Sequence, residues 1–144
     1  MNNEILAYAA GIVDGEGCVT VSYRPSSKSC QISVAVSMSC RLIPDWLQSN
    51  FGGNQTEELN IQGYGGTNAH KMFRWRIGGK EAQYFCSLIE PFLIEKKAQA
   101  ELLQLVPKHN SGQHLSDTER DLQVRIAQDI SSMNSNKGRK YEYA

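Results

Sequence analysis

The chain has 144 residues, 40 % of them hydrophobic and 21 % charged, which is enough material for one globular domain with its own core. No apolar run approaches the roughly 20 residues of a membrane helix, and the polar start Met1-Asn2-Asn3-Glu4 is no secretory signal. Fifteen basic residues balance fifteen acidic ones, a sum that argues mildly against nucleic acid and leaves the question to how charge is distributed.

Residues Glu4 to Asp14 read as a helix, with Asn3 as its N-cap and Gly15 and Gly17 ending it. Cys18 to Arg24 alternates apolar and polar positions, as a half-buried strand does, and so does Gln31 to Ser39, with Pro25 to Ser29 as the turn between them. A short helix around Pro44 to Phe51 is stopped by Gly52-Gly53. Asn54 to Ile61 is a third strand of weak alternation, Gln62 to Ala69 a glycine-rich loop, and Lys71 to Ile77 a fourth strand. Helices follow at Lys80 to Ile89, Lys96 to Leu105 and Ser116 to Met133, the last opened by a capping-box spacing of Ser116 and Glu119. The order is αββαββα with further helices: an α+β fold whose four-stranded antiparallel sheet has helices on one face. Residues 1–134 form one domain and 135–144 a basic tail.

The other face of the sheet carries Thr20, Ser22, Arg24, Gln31, Ser33, Ser37, Arg74 and Arg76. Any half-buried sheet shows a polar face to water; three arginines among hydroxyls and amides tilt this one toward a polyanion. Cys18, Cys30, Cys40 and Cys86 form no CxxC pair and have no histidine at ligand spacing, so they read as reduced thiols of an intracellular protein. His70, His109 and His114 read as solvated, and Trp46 and Trp75 as core or semi-core aromatics.

The first helix holds two anomalies. Ala7, Ala10, Gly11 and Asp14 fall at i, i+3, i+4, i+7 and line one stripe. Such a stripe serves either close packing on the chain's own sheet or the close approach of a second backbone. Asp14 and Glu16 then place two carboxylates at the negative end of the helix dipole, with no base inside the motif to offset them. Two solvated acids in a glycine-rich turn would look the same; a divalent cation is the other compensation, since carboxylate and carbonyl oxygens suit magnesium.

Ala9 to Gly17, A-A-G-I-V-D-G-E-G, resembles the LAGLIDADG motif of homing endonucleases, with Ala10, Gly11, Asp14 and Glu16 at matching positions. Trp75-Arg76-Ile77-Gly78-Gly79-Lys80, Pro91-Phe92-Leu93 with Lys96, and Asn136-Lys137-Gly138-Arg139-Lys140 are similar to later segments of single-motif members. The resemblance implies the saddle-shaped sheet of that fold and metal-dependent cleavage of double-stranded DNA at a long pseudo-palindromic site by a homodimer. It implies Glu16 and the Gly15 carbonyl as ligands of Mg²⁺, with Mn²⁺ or Ca²⁺ able to stand in for binding. Lys96 then sits by the scissile phosphate, and Asp14 supports the helix end and the dimer contact. Ala7, Ala10 and Gly11 join Asp14 in that contact. Cys40 stands where relatives carry a water-organising Gln or Asn, leaving Ser39 or Arg41 to substitute or cleavage to weaken. The sheet-face residues join Lys28, Lys137, Arg139 and Lys140 in holding DNA, with no membrane and no small-molecule cofactor involved. Such proteins accompany intron homing in organelles, prokaryotes and phages. A maturase or repressor on the same fold is the alternative use, and a scaffold protein with solvated acids the unrelated one.

Overall fold

In a computed structural model, which describes residues 1–60, 70–108 and 114–135, helices α1 (Asn3–Glu16), α2 (Leu42–Phe51), α3 (Gly79–Ile89), α4 (Lys97–Gln104) and α5 (Asp117–Ser135) surround one sheet. Its strands β1 (Gly17–Arg24), β2 (Ser29–Met38), β3 (Asn54–Asn60) and β4 (His70–Gly78) lie in the order β1-β2-β4-β3, all antiparallel. The two hairpins therefore meet through β2 and β4, and β1 and β3 form the edges. Among the described residues no helix is long and apolar enough to cross a membrane.

The alternation seen in the sequence decides which face is buried. Val19, Val34 and Ile77 pair across three strands on one side, and Val36 and Trp75 do so next to them. These side chains form the core with Ala9, Ala10, Val13, Leu47, Phe85, Ile89 and Leu103 from the helices. Trp75 is fully buried, stacks edge-on against Phe85 and donates its indole N–H to the Gly52 carbonyl at 2.8 Å. That contact explains the glycine pair: Gly52 and Gly53 both have positive φ, and a Cβ on Gly53 would lie 2.7 Å from the Arg76 carbonyl.

The element order agrees with expectation; the ends shift. The N-cap of α1 is Asn2, not Asn3, with its side chain accepting the Ile5 amide at 2.9 Å. The helix also continues through Gly15 to Glu16, and only Gly17 leaves it. A side chain at Gly17 would strike the Val13 backbone at 2.7 Å. The capping box of α5 forms as expected, Ser116 Oγ accepting the Glu119 amide and Glu119 Oε1 that of Ser116.

Candidate active site and nucleic-acid interface

The helix end carrying Asp14 and Glu16 is joined to the start of α4 by two reciprocal grips. The Asp14 carboxylate accepts the backbone amides of Ile94, Glu95 and Lys96 at 2.9, 3.1 and 3.0 Å. In return Lys96 Nζ donates to the carbonyls of Val13 at 2.8 Å and Asp14 at 2.7 Å. Each charge lands where the other segment favours it: a carboxylate on the amides that lead into α4, an ammonium on carbonyls of the last turn of α1, of which that of Val13 also accepts the Gly17 amide.

This corrects one expectation. The negative end of α1 does not wait for a metal to offset it, because Lys96, 82 residues on in the sequence, supplies the cation. Lys96, expected beside a scissile phosphate, is 3 % exposed, with its ammonium on the α1 carbonyls two and three residues before Glu16. It ties the last turn of α1, the turn that carries Glu16, to the segment that leads into α4.

With Asp14 committed, Glu16 stands apart. It is exposed and has no hydrogen-bond or ion-pair partner among the described residues. Gly17, the first residue of β1, pairs with Val36, so Glu16 closes α1 immediately before the sheet begins. One acid of the motif thus builds the frame and the other is presented from it. A recess of about 170 Å³ lined by Gly17, Cys18, Glu95, Lys96 and Gln99 adjoins this corner. A larger apolar recess, lined by Leu6, Phe51, Tyr84 and Phe85 among others, lies toward the opposite end of α1 and away from Glu16.

Of the expected dimer stripe, Ala7 and Gly11 are exposed and Asp14 is half-buried. Ala10 is corrected: it is wholly inside the chain's own core, because the buried side of α1 runs Leu6, Ala9, Ala10, Val13. The outward small residues are Ala7, Gly11 and Gly15, spaced i, i+4, i+8. Among the described residues a Cβ at Gly11 or Gly15 would meet nothing within 4 Å, so their packing does not require glycine at either place.

Register assigns the outer sheet face. Thr20, Ser33 and Gly78 share a row, as do Cys18, Ala35 and Arg76, and Ser37 and Arg74. Ser22 pairs with Gln31, and Arg24 with Ser29. Arg24, Arg76, Ser22, Gln31 and Lys28 are exposed, the last in the β1–β2 turn with φ of 51°. Ser33 is 7 % exposed and Thr20 half-buried, and their hydroxyls share a hydrogen bond of 2.8 Å at mid-sheet. Lys137, Arg139 and Lys140 lie outside the described residues, as does His109.

Strand β3 adds residues that the sequence pattern does not reveal. Asn54 lies beside Arg76, Thr56 beside Arg74 and Glu58 beside Met72, all on the outer face. The alternation is hidden because the inner-face Gln55 is polar too: at the sheet edge its amide donates to Asp45 at 2.7 Å and Gln48 at 3.0 Å on α2. That bond, more than Arg41, holds the Asp45 carboxyl below the usual range.

Cys40 is exposed, two residues beyond Met38, the last paired residue of β2. Of its neighbours, Ser39 is exposed, while Arg41 points its Nε at Asp45 (3.1 Å) and stacks over the Phe73 ring. Among the described residues no group of three or more His, Cys, Asp or Glu could hold a metal ion. Burial pushes the Cys86 thiol up to about 12, with Glu90 adding to the rise, and it raises Cys30 against the opposing charge of Lys108.

No family model and no curated protein matches the chain. Among solved structures it is similar to the homing endonuclease I-CvuI in complex with its target (TM-score 0.68, 21 % identity, 92 % of this chain and 85 % of that one). It is also similar to the archaeal intron-encoded homing endonuclease I-Vdi141I complexed with DNA (0.67, 17 %, 89 % and 82 %). A third likeness is to the LAGLIDADG meganuclease I-AabMI bound to uncleaved DNA (0.58, 18 %), where 88 % of this chain covers 44 % of that one. The shared property is the fold, and the α+β arrangement expected from the sequence is that of LAGLIDADG homing endonucleases.

Proposed function

We propose that this chain, with its LAGLIDADG fold, is one half of a site-specific, divalent-metal-dependent endonuclease of double-stranded DNA. The observation that carries the reading is the division of labour between the two acids: Asp14 is consumed by three backbone amides, whereas Glu16, at the same helix end, is exposed and has no partner among the described residues.

Glu16 and the Gly15 carbonyl are hard oxygen donors of the kind magnesium takes, with calcium or manganese as substitutes for binding. Among the described residues no larger cluster of ligands stands beside them, and a second copy, water and the DNA phosphates would complete the shell. Bound there, the metal would polarise the phosphodiester and lower the pKa of attacking water. The chain's own residues do the rest. Lys96 and Asp14 fix the direction in which Glu16 leaves the helix. Arg24, Arg74 and Arg76 contact phosphates or base edges, and Lys28 adds a phosphate contact at the hairpin tip. Lys137, Arg139 and Lys140 are assigned backbone contacts by resemblance alone.

The homodimer reading is supported by the exposed small residues Ala7, Gly11 and Gly15; a Cβ at either glycine would meet nothing within 4 Å among the described residues. Coverage of only 44 % of I-AabMI fits a unit that supplies half of a complete body. Two copies related by a twofold would bring both Glu16 side chains near the axis, where like charges need cations between them. A Cβ at Gly11 has room among the described residues, so Gly11→Leu is expected to yield a folded monomer by sedimentation; a variant that stays dimeric moves the interface elsewhere.

The function is tested by selecting bound sequences from a randomised duplex library, then incubating the enriched duplex with and without magnesium. The expected result is salt-dependent binding in both cases and double-strand breaks with magnesium only. A second reading, a binder or maturase that does not cut, is favoured by Cys40 and by the diversion of Arg41 to Asp45. It predicts sequence-specific binding with no breaks. Absence of DNA binding contradicts both.

A further inference from the structure

The outer sheet face holds one carboxylate among its described residues, Glu58 on β3. It lines a cleft of about 360 Å³ with Asn54, Thr56, Arg74 and Arg76. Its Oε1 lies 3.8 Å from Arg74 Nη1, and both side chains are about half exposed. Such a pair contributes about 0–1 kcal/mol to stability, so the fold has little need of it. On a face built to meet phosphates, a carboxylate also works against affinity, since each unit of positive charge engaged with the backbone strengthens binding and this one subtracts. The Nε of Arg74 is meanwhile out of solvent with no hydrogen-bond partner among the described residues. Arg74 is thus steered by its acid while part of its donor fork stays unused.

We propose that Glu58 is a specificity determinant: it holds the Arg74 guanidinium within the cleft and repels phosphate from it, so that the pair reads base edges. This rests on the DNA-binding reading of the sheet. The chemistry matches the major groove, where an arginine fork donates to guanine N7 and O6, and a carboxylate accepts from the exocyclic amine of cytosine. Side by side, the two present a donor and an acceptor to one G·C pair or to adjacent pairs. A carboxylate in place also penalises any register that would set a phosphate against Arg74.

The test compares the full-length wild type, Glu58→Gln and Arg74→Gln on two probes. One is a random-sequence duplex pool titrated over a range of KCl; the other is the consensus enriched from a randomised library by each protein. Glu58→Gln is expected to bind the random pool roughly five- to tenfold more tightly near 0.1 M KCl, with a log–log salt slope steeper by about 0.9. Its consensus should lose preference at one or two positions. Arg74→Gln should lose preference at the same positions without the gain on random DNA. Wild-type slope and consensus in Glu58→Gln, with an unchanged melting temperature, would overturn the proposal. If the wild type itself shows no salt-dependent binding, the DNA-binding reading fails first, and this inference with it.

Discussion

The α1–α4 joint and the outer face of the sheet are both rich in charge, and they treat it in opposite ways. At the joint, one carboxylate takes three amides and one ammonium takes two carbonyls, with Lys96 nearly buried. On the sheet, Arg24 and Arg76 are exposed without an ion pair among the described residues, and Arg74 meets Glu58 only at 3.8 Å. Satisfied charge is structure; charge left without a partner is an offer to something outside the chain. Glu16 belongs to the second kind although it sits on the first kind of site, and that is why it, and not Asp14, is the candidate for chemistry.

The contrast breaks most easily if the joint proves dispensable. Asp14→Ala leaves three amides at the start of α4 without their acceptor, and is expected to cost about 2–4 kcal/mol in chemical denaturation. Lys96→Met should cost about 1–3 kcal/mol by taking the ammonium from the Asp14 carbonyl and leaving that of Val13 with the Gly17 amide alone. Arg76→Gln should change stability by less than about 0.5 kcal/mol while lowering the salt slope of DNA binding by about 0.9. Equal stability losses at Asp14 and Arg76 would erase the distinction.

A smaller effect sharpens it through the thiols. Cys18 lies exposed in the outer-face row of Arg76, whereas Cys86 is wholly buried with its thiol pushed up to about 12. Near pH 8 an alkylating reagent should modify Cys18 and Cys40 in the folded protein and leave Cys86 untouched, because the thiolate is the reactive form. Bound DNA should slow modification of Cys18 several-fold. Unslowed reaction at saturating DNA would place the duplex on another face.

The range of each interaction decides how much of it is legible in the sequence. Strands β1, β2 and β4 declare themselves because the inner-face positions where they pair with one another are apolar, and α5 because its capping box is local. Strand β3 is obscured because an edge strand can face α2 with Gln55 in place of an apolar residue. Its outward residues Asn54, Thr56 and Glu58 are hidden for that reason. The motif itself announces Glu16, but the partner of Asp14 is 80 or more residues away, and no periodicity reports such a contact. Ala10 illustrates a related limit: small residues at helical spacing do not say which of them faces inward until the core is assembled.

The most direct test of Glu16 as the presented acid is Glu16→Gln, followed by melting temperature, affinity for the selected duplex and magnesium-dependent cleavage. An unchanged melting temperature is predicted, with DNA affinity within about threefold of wild type and cleavage reduced by more than about 10³-fold. Cleavage at the wild-type rate, or loss of fold along with activity, would contradict the assignment of Glu16 as the acid presented by a frame that Asp14 and Lys96 hold.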